Sequence, residues 1–265
     1  MATVYLAEDL ELGRACAIKI LHADSVDKPD VVERFLQEAR AASMIGHENV
    51  VEITDYGRSP DGHVYLVMEL LDGEDLADML DREGPISWSR ARPILLQLCS
   101  ALAAAHAKGI IHRDLKPENV FRLARGRSRD FIKVLDFGIA KVPAEAVTGA
   151  RALTQTGTIF GTPEYMSPEQ AEGRKVDPRT DIYSIGVITY KLLTGKVPFD
   201  GENPTAILVK HLVDPPPPPS AAAPERGLTE DIDAMILKAL EKDPARRFQT
   251  MEALAAEIAA IDDTM

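Results

Sequence analysis

The chain has 265 residues, 45% hydrophobic and 27% charged, which is enough apolar material for one large core or two lobes and too much for disorder. A formal net charge of -12 argues against a general nucleic-acid or anionic-membrane surface, since both polyanions would be repelled. Only Cys16 and Cys99 are present, in no CxxC or Cys/His pattern, which excludes a disulfide framework and a thiolate metal site. No run of about 18 uncharged apolar residues encodes a membrane helix. The opening MATVYLAEDLELGR lacks the basic region and apolar core of a signal peptide, so a cytoplasmic location is expected.

From Val4 to Ile20 the pattern is strand, turn, strand: VYLAED alternates, ELGR turns and ACAIKIL is a short apolar run. Between about Pro29 and Ile45, Val32, Phe35, Leu36, Ala39 and Ala42 recur at helical spacing and predict an amphipathic helix. VVEITDYG and HVYLVMEL read as strands flanking the turn SPDG. A small lobe of about residues 1–70, mostly β with one helix, is therefore predicted. After Leu71 the texture is helical: EDLADMLDREG, SWSRARPILLQLCSALAAAHAKGI, the 180s and the last forty residues. A larger helical lobe, about 71–265, is expected. The run DPPPPPSAAAP at 214–224 lacks backbone donors and predicts extended polyproline II, a stiff connector rather than a lure for a proline-recognising partner.

The chemistry concentrates in HRDLKPEN at 112–119 and DFG at 136–138. Two carboxylates, Asp114 and Asp136, the amide Asn119 and the cations Arg113 and Lys116 stand in fixed order and spacing. Taken singly, Asp114 reads as a helix cap, Asn119 as a turn residue and Asp136 as a turn acid. Together they resemble the eukaryotic-type Ser/Thr protein kinases, in a bacterial style carried by GTPEYMSPEQA and ATVYLAED. The resemblance runs from Val4 to about Leu254 and implies an α+β, two-lobed kinase-like fold as one catalytic domain over 1–265.

By that resemblance Asp114 faces the substrate hydroxyl, Lys116 steadies the transferred phosphate, and Asn119 and Asp136 hold Mg2+, with Mn2+ as a substitute. Lys19, in ACAIK, is placed on the ATP phosphates and paired with Glu38. Met68 falls at the gatekeeper position, Glu69 and Leu71 offer backbone groups to adenine, Asp75 reaches the ribose, and Ala17 and Phe121 sandwich the purine. Thr154 and Thr156, in LTQTGTIFGTPEY with Thr158, are the expected autophosphorylation sites, with Arg113 as the phosphate's partner and a transient homodimer as the route. Thr162 shapes the substrate pocket, Glu169 of SPE pairs with Arg247 of DPARRF, and Asp181 bonds the catalytic-loop backbone. KPEN favours protein Ser/Thr acceptors.

The chain departs from the pattern in three places. Val4 takes the terminal valine position of the glycine-rich phosphate loop and Ala2 falls where its third glycine belongs, so the chain begins inside the motif and the small lobe is expected to miss its first strand. A start assigned downstream of the true one is the expected account, and a catalytically impaired kinase acting as a signalling module is the alternative. The stretch FRLARGRSRDFIKV, with arginines at 122, 125, 127 and 129, is longer and more basic than usual and reads as a solvated hairpin tip. Ser167 stands for the usual alanine.

Overall fold

The computed structural model describes residues 2–126, 128–137 and 162–262. Strands β1 (Ala2–Asp9) and β2 (Arg14–Leu21) form the expected hairpin, in the register Val4 to Lys19 and Leu6 to Ala17. A short helix α1 (Ala23–Val26) leads into α2 (Pro29–Ile45), whose limits follow from its ends: Pro29 suits the first helical position and Gly46 closes the helix at φ 60. With β3 (Ile53–Arg58) and β4 (Val64–Glu69) the strands build a four-stranded antiparallel sheet in the order β1-β2-β4-β3, with β1 at one edge. Leu21, Val64 and Leu66 from the sheet bury against Phe35 and Ala39 of α2 as a small separate core.

The third predicted strand begins later than VVEITDYG suggests, at Ile53. Val50 and Val51 are buried but pair with β7 (Ser128–Val134) of the other lobe: the Val51 amide donates to Val134 O at 3.0 Å and the Val134 amide to Asn49 O at 2.8 Å. The Asn49 side chain adds a bond to Ile132 O at 2.7 Å. This strap ties the connector after α2 to the large lobe, so its apolar residues bury without joining the sheet.

The large lobe opens with a short strand missed by the sequence pattern, β5 (Gly73–Asp75), in a three-stranded sheet ordered β5-β6-β7 with β6 (Val120–Arg125). Three residues are too few to show a period. A Cβ on Gly73 would lie 2.0 Å from Arg122 O, so the close approach of β5 to β6 requires glycine there. Helix α3 (Leu76–Glu83) follows, capped by Asp75 Oδ1, which accepts from Ala77 and Asp78 amides at 2.9 Å.

Helices α4 (Trp88–His106), α5 (Pro168–Ala171), α6 (Arg179–Thr194), α7 (Pro204–Val213), α8 (Pro219–Ala222), α9 (Glu230–Ala239) and α10 (Met251–Ala260) complete the α-helices among the described residues. Their core includes the fully buried Leu98, Leu102, Ile182, Tyr183 and Tyr190, each stabilising the fold by about 1.5–3 kcal/mol through burial. The proline run is extended at Asp214 (φ -80, ψ 136) and Pro218 (φ -57, ψ 135), but Pro219 starts the turn α8. The polyproline II expectation for 214–224 therefore holds only in its first half, because proline is favoured at a helix start and SAA continues it.

Candidate active site

The loop carrying Asp114 is held from beneath by one buried carboxylate. Asp181, on α6, accepts from the His112 amide (2.9 Å), the Arg113 amide (3.0 Å) and His106 Nε2 (2.7 Å), and its side chain has no solvent exposure. This is the backbone bond expected of Asp181. His112 is itself buried, bonded through Nε2 to Leu135 O at 2.9 Å and packed on Phe137 with ring centroids 4.8 Å apart. Burial lowers the His112 pKa against the pull of Asp181, so the ring is neutral and its Nδ1 accepts the Asp114 amide at 3.3 Å. Among the described residues two non-glycine residues have positive φ, Arg113 at 65° and Asp136 at 44°. Such conformations persist where surrounding bonds over-determine them, as Asp181 and Gln170 do at Arg113.

The predicted catalytic residues sit in contacting groups. Asn119 Nδ2 donates to Asp114 O at 2.8 Å and to Asp114 Oδ2 at 3.3 Å, which leaves the amide oxygen as the hard donor of that side chain. Lys116 Nζ donates to Thr162 Oγ1 at 3.0 Å, joining the catalytic loop to GTPEY. Lys19 Nζ meets Asp136 Oδ1 at 2.7 Å, a cross-lobe contact with Lys19 mostly buried. Glu38 lies half-buried on α2.

The other expected binding residues follow the sheet register. Ala17 lies opposite Met68, Cys16 opposite Glu69, and Val4 opposite Lys19. Ala17 is buried, and Met68 and Leu71 are half-buried. Across the cleft, Asp75 lies opposite Phe121 in the β5–β6 pair. Thr154, Thr156 and Thr158 lie outside the described residues.

Several working residues escaped the sequence reading. Glu69 uses its side chain as well as its backbone: Oε1 accepts Lys133 Nζ at 2.6 Å and the Glu52 amide at 2.8 Å, linking the strand that leads to Asp136 with β4. Gln170 Nε2 donates to Arg113 O at 2.7 Å. Ser167 caps α5 in a reciprocal capping box with Gln170, so the departure from alanine has a structural use. The spacing Ser-x-x-Gln was a readable signal for it. The basic hairpin is not simply solvated: Arg122 bonds Asp130 at 2.9 Å, and Arg125 lies over the Phe131 ring at 4.5 Å and pairs with Glu48 at 3.1 Å.

Behind the loop, a cavity of about 330 Å³ lies between α2 (Gln37, Arg40, Met44) and Ile110, Ile111 and Arg113. Arg113 Nε is buried there without a hydrogen-bond partner among the described residues.

Known proteins match along almost the whole chain. It is 42% identical over 262 residues to the serine/threonine-protein kinase pkn3 of Myxococcus xanthus, covering 99% of this chain and 48% of that protein. It is 47% identical to pkn2 of the same organism over 262 residues (98% and 31%), and 41% identical to PknB of Mycobacterium tuberculosis over 265 residues (98% and 41%). The chain thus spans less than half the length of these curated relatives. Among solved structures, the kinase domain of Mycobacterium tuberculosis PknI is similar with a TM-score of 0.72 and 26% identity, over 98% of this chain and 90% of that one. No helix among the described residues is long and apolar enough to cross a membrane. A family model described as protein kinase domain matches residues 1–258, and with these relatives and this fold the chain belongs to the protein kinase domain family.

Proposed function

We propose that the chain is the catalytic domain of a Ser/Thr protein kinase, with a small lobe of about residues 1–70 and a large lobe from about 71, transferring the γ-phosphoryl group of ATP to protein hydroxyls. The observation that carries this reading is the convergence of Asp114, Asn119, Lys116 and Thr162 on a loop pinned by Asp181, with Lys19 reaching Asp136 across the lobes. Protein Ser/Thr acceptors follow from KPEN and GTPEY and from the names of the relatives.

The residues present fit a magnesium-nucleotide. Among the described residues no group of three or more His, Cys, Asp or Glu stands together as a full metal cage. Mg2+ does not need one: it takes one or two protein oxygens, here Asp136 and Asn119, and completes its shell with phosphates and water. When bound, the ion supplies neutralisation of the phosphate charge. Asp114 accepts the acceptor hydroxyl's proton while its amide bond to His112 and its contact with Asn119 fix its direction. Lys116 and Lys19 place positive charge along the phosphates. Lys19 and Asp136 satisfy each other at 2.7 Å; with nucleotide bound, Lys19 would hold a phosphate and Asp136 would hold the ion. Glu38 is the proposed partner that keeps the Lys19 ammonium in the cleft. Ala17, Met68 and Phe121 form the apolar walls for adenine, Glu69 and Leu71 its backbone contacts, and Val4 covers the phosphate side.

Arg113 and Arg40 at the 330 Å³ cavity support a seat for a phosphothreonine, for which Thr154 and Thr156 are the proposed sources.

The test is transfer of labelled γ-phosphate from ATP to a generic basic protein. Wild type is expected to label it on Ser and Thr, and Asp114→Asn to lower kcat by about 10²-fold or more. Activity surviving Asp114→Asn would sink the assignment. Absence of transfer by wild type would leave the signalling module.

A further inference from the structure

Six charged side chains from five elements meet on the face of the β5-β6-β7 sheet that packs against α3 and α4, opposite the face of Asp75 and Phe121. Asp130 of β7 accepts Arg90 of α4 through Nε (2.9 Å) and Nη2 (3.0 Å), and Arg122 of β6 through Nη1 (2.9 Å). Glu74 of β5 forms an ion pair with Arg122 at 3.3 Å and accepts hydrogen bonds from Arg82 of α3. Glu83 of α3 accepts Arg90 and forms ion pairs with Arg82 at 2.7 Å and Arg122 at 3.7 Å. Three cations and three carboxylates close the set with no net charge. An isolated exposed pair would add little, since water competes and long side chains lose freedom. Here each ion has at least two partners, and Asp130 and Arg122 are only 16% and 18% exposed, so the geometry is over-determined.

The location gives the set its meaning. Glu74 lies opposite Arg122 in the β5–β6 register, and the next pair is Asp75 opposite Phe121. Successive residues of a strand point to opposite faces, so clamping Glu74 and Arg122 on one face fixes where Asp75 and Phe121 stand on the other. The close approach at Gly73 to Arg122 O locks the two strands in the same place. We propose that this six-ion set positions the ribose and adenine side of the nucleotide site, with Arg122, Asp130 and Glu83 as positioning residues. The proposal rests on the kinase reading for its ligand.

The experiment compares wild type with Asp130→Asn, Glu83→Gln and the charge-keeping Asp130→Glu. Read out are the Kd of magnesium-ADP by calorimetry, KM for ATP, KM for a peptide substrate, kcat and the thermal midpoint. Asp130→Asn and Glu83→Gln are expected to raise the ADP Kd and the ATP KM about five-fold, the effect of losing one well-held ion contact, with kcat and peptide KM within about two-fold of wild type. Asp130→Glu is expected to restore most of the affinity. Glu83→Gln carries the test if Asp130→Asn fails to fold. Unchanged nucleotide affinity with a lowered thermal midpoint, or a parallel fall in every kinetic parameter, overturns the proposal. A wild type that binds magnesium-ADP but transfers no phosphate would refute the kinase reading alone, and the ADP affinities would still decide the positioning role.

Discussion

Glu169 and Arg247 show how much one buried pair can govern. Arg247 places all five of its N–H groups: two on the Glu169 carboxylate at 2.8 Å each, and the rest on Arg179 O, Lys242 O and Glu241 O at 3.0, 3.1 and 2.7 Å. Burial acts to raise the Glu169 pKa, but the Arg247 bonds and charge and the Thr180 hydroxyl outweigh it and hold the carboxyl below its ordinary range. Since desolvation is already met by full pairing, the expense appears when one partner is removed. Arg247→Met is expected to destabilise by about 3–5 kcal/mol, leaving a buried carboxylate with one hydroxyl. Thermal unfolding should show a fall of about 10 °C, partly recovered in Arg247→Met with Glu169→Leu. A double variant no better than the single one would count against an uncompensated charge as the cause. The pair was legible in the sequence because SPE and DPARRF are each short and specific. The Lys133–Glu69 contact was not, because a lysine in a strand and a glutamate at a strand end carry no mark of each other.

At the scale of elements, legibility followed period and punctuation. Helix α2 could be bounded from Pro29 and its apolar spacing, whereas β5 was hidden by its three-residue length and Val50–Val51 by an apolar run that buries as a strap. Contacts between helices are less visible still. Gly186 lies mid-helix in α6, where propensity alone would favour alanine by about 1 kcal/mol. Yet an added Cβ would stand 3.0 Å from both Ala239 Cβ and Leu240 Cδ2, at the junction with α9. Overpacking a filled core costs about 1–3 kcal/mol, so the clash offsets the propensity gain and wins. Gly186→Ala is expected to lower stability by about 1 kcal/mol in denaturant titration. A stabilised variant would mean that α6 and α9 can separate without strain. Gly186→Ala with Leu240→Ala should relieve the Leu240 contact but leave the one with Ala239 and open a cavity, and so is not expected to restore wild-type stability.

For the molecule as a whole, tolerance of acid depends on groups that the large lobe buries neutral. His211 of α7 is fully buried, with Nδ1 bonded to the Tyr183 hydroxyl at 2.8 Å and the Phe199 ring edge-on at 4.9 Å. Burial, helped by the nearby Lys242 ammonium, pushes its pKa from 6.5 down to about 3. The unfolded chain therefore binds a proton that the fold refuses across that interval. Stability is full above 6.5 and is lost as pH falls toward the folded value, at about 1.4 kcal/mol per unit from this residue. His112, also lowered by burial, acts with the same sign. The paired carboxylate of Glu169 adds its own loss only as pH falls below its ordinary 4.5, because above that it is ionised in both states. The interval from 6.5 to about 4.5 thus separates histidine from carboxylate effects. His211→Gln keeps a partner for Tyr183 without a titrating ring, and is expected to flatten the fall of unfolding free energy measured by urea titration at steps across that interval. Equal slopes for the variant and wild type would place the acid sensitivity elsewhere.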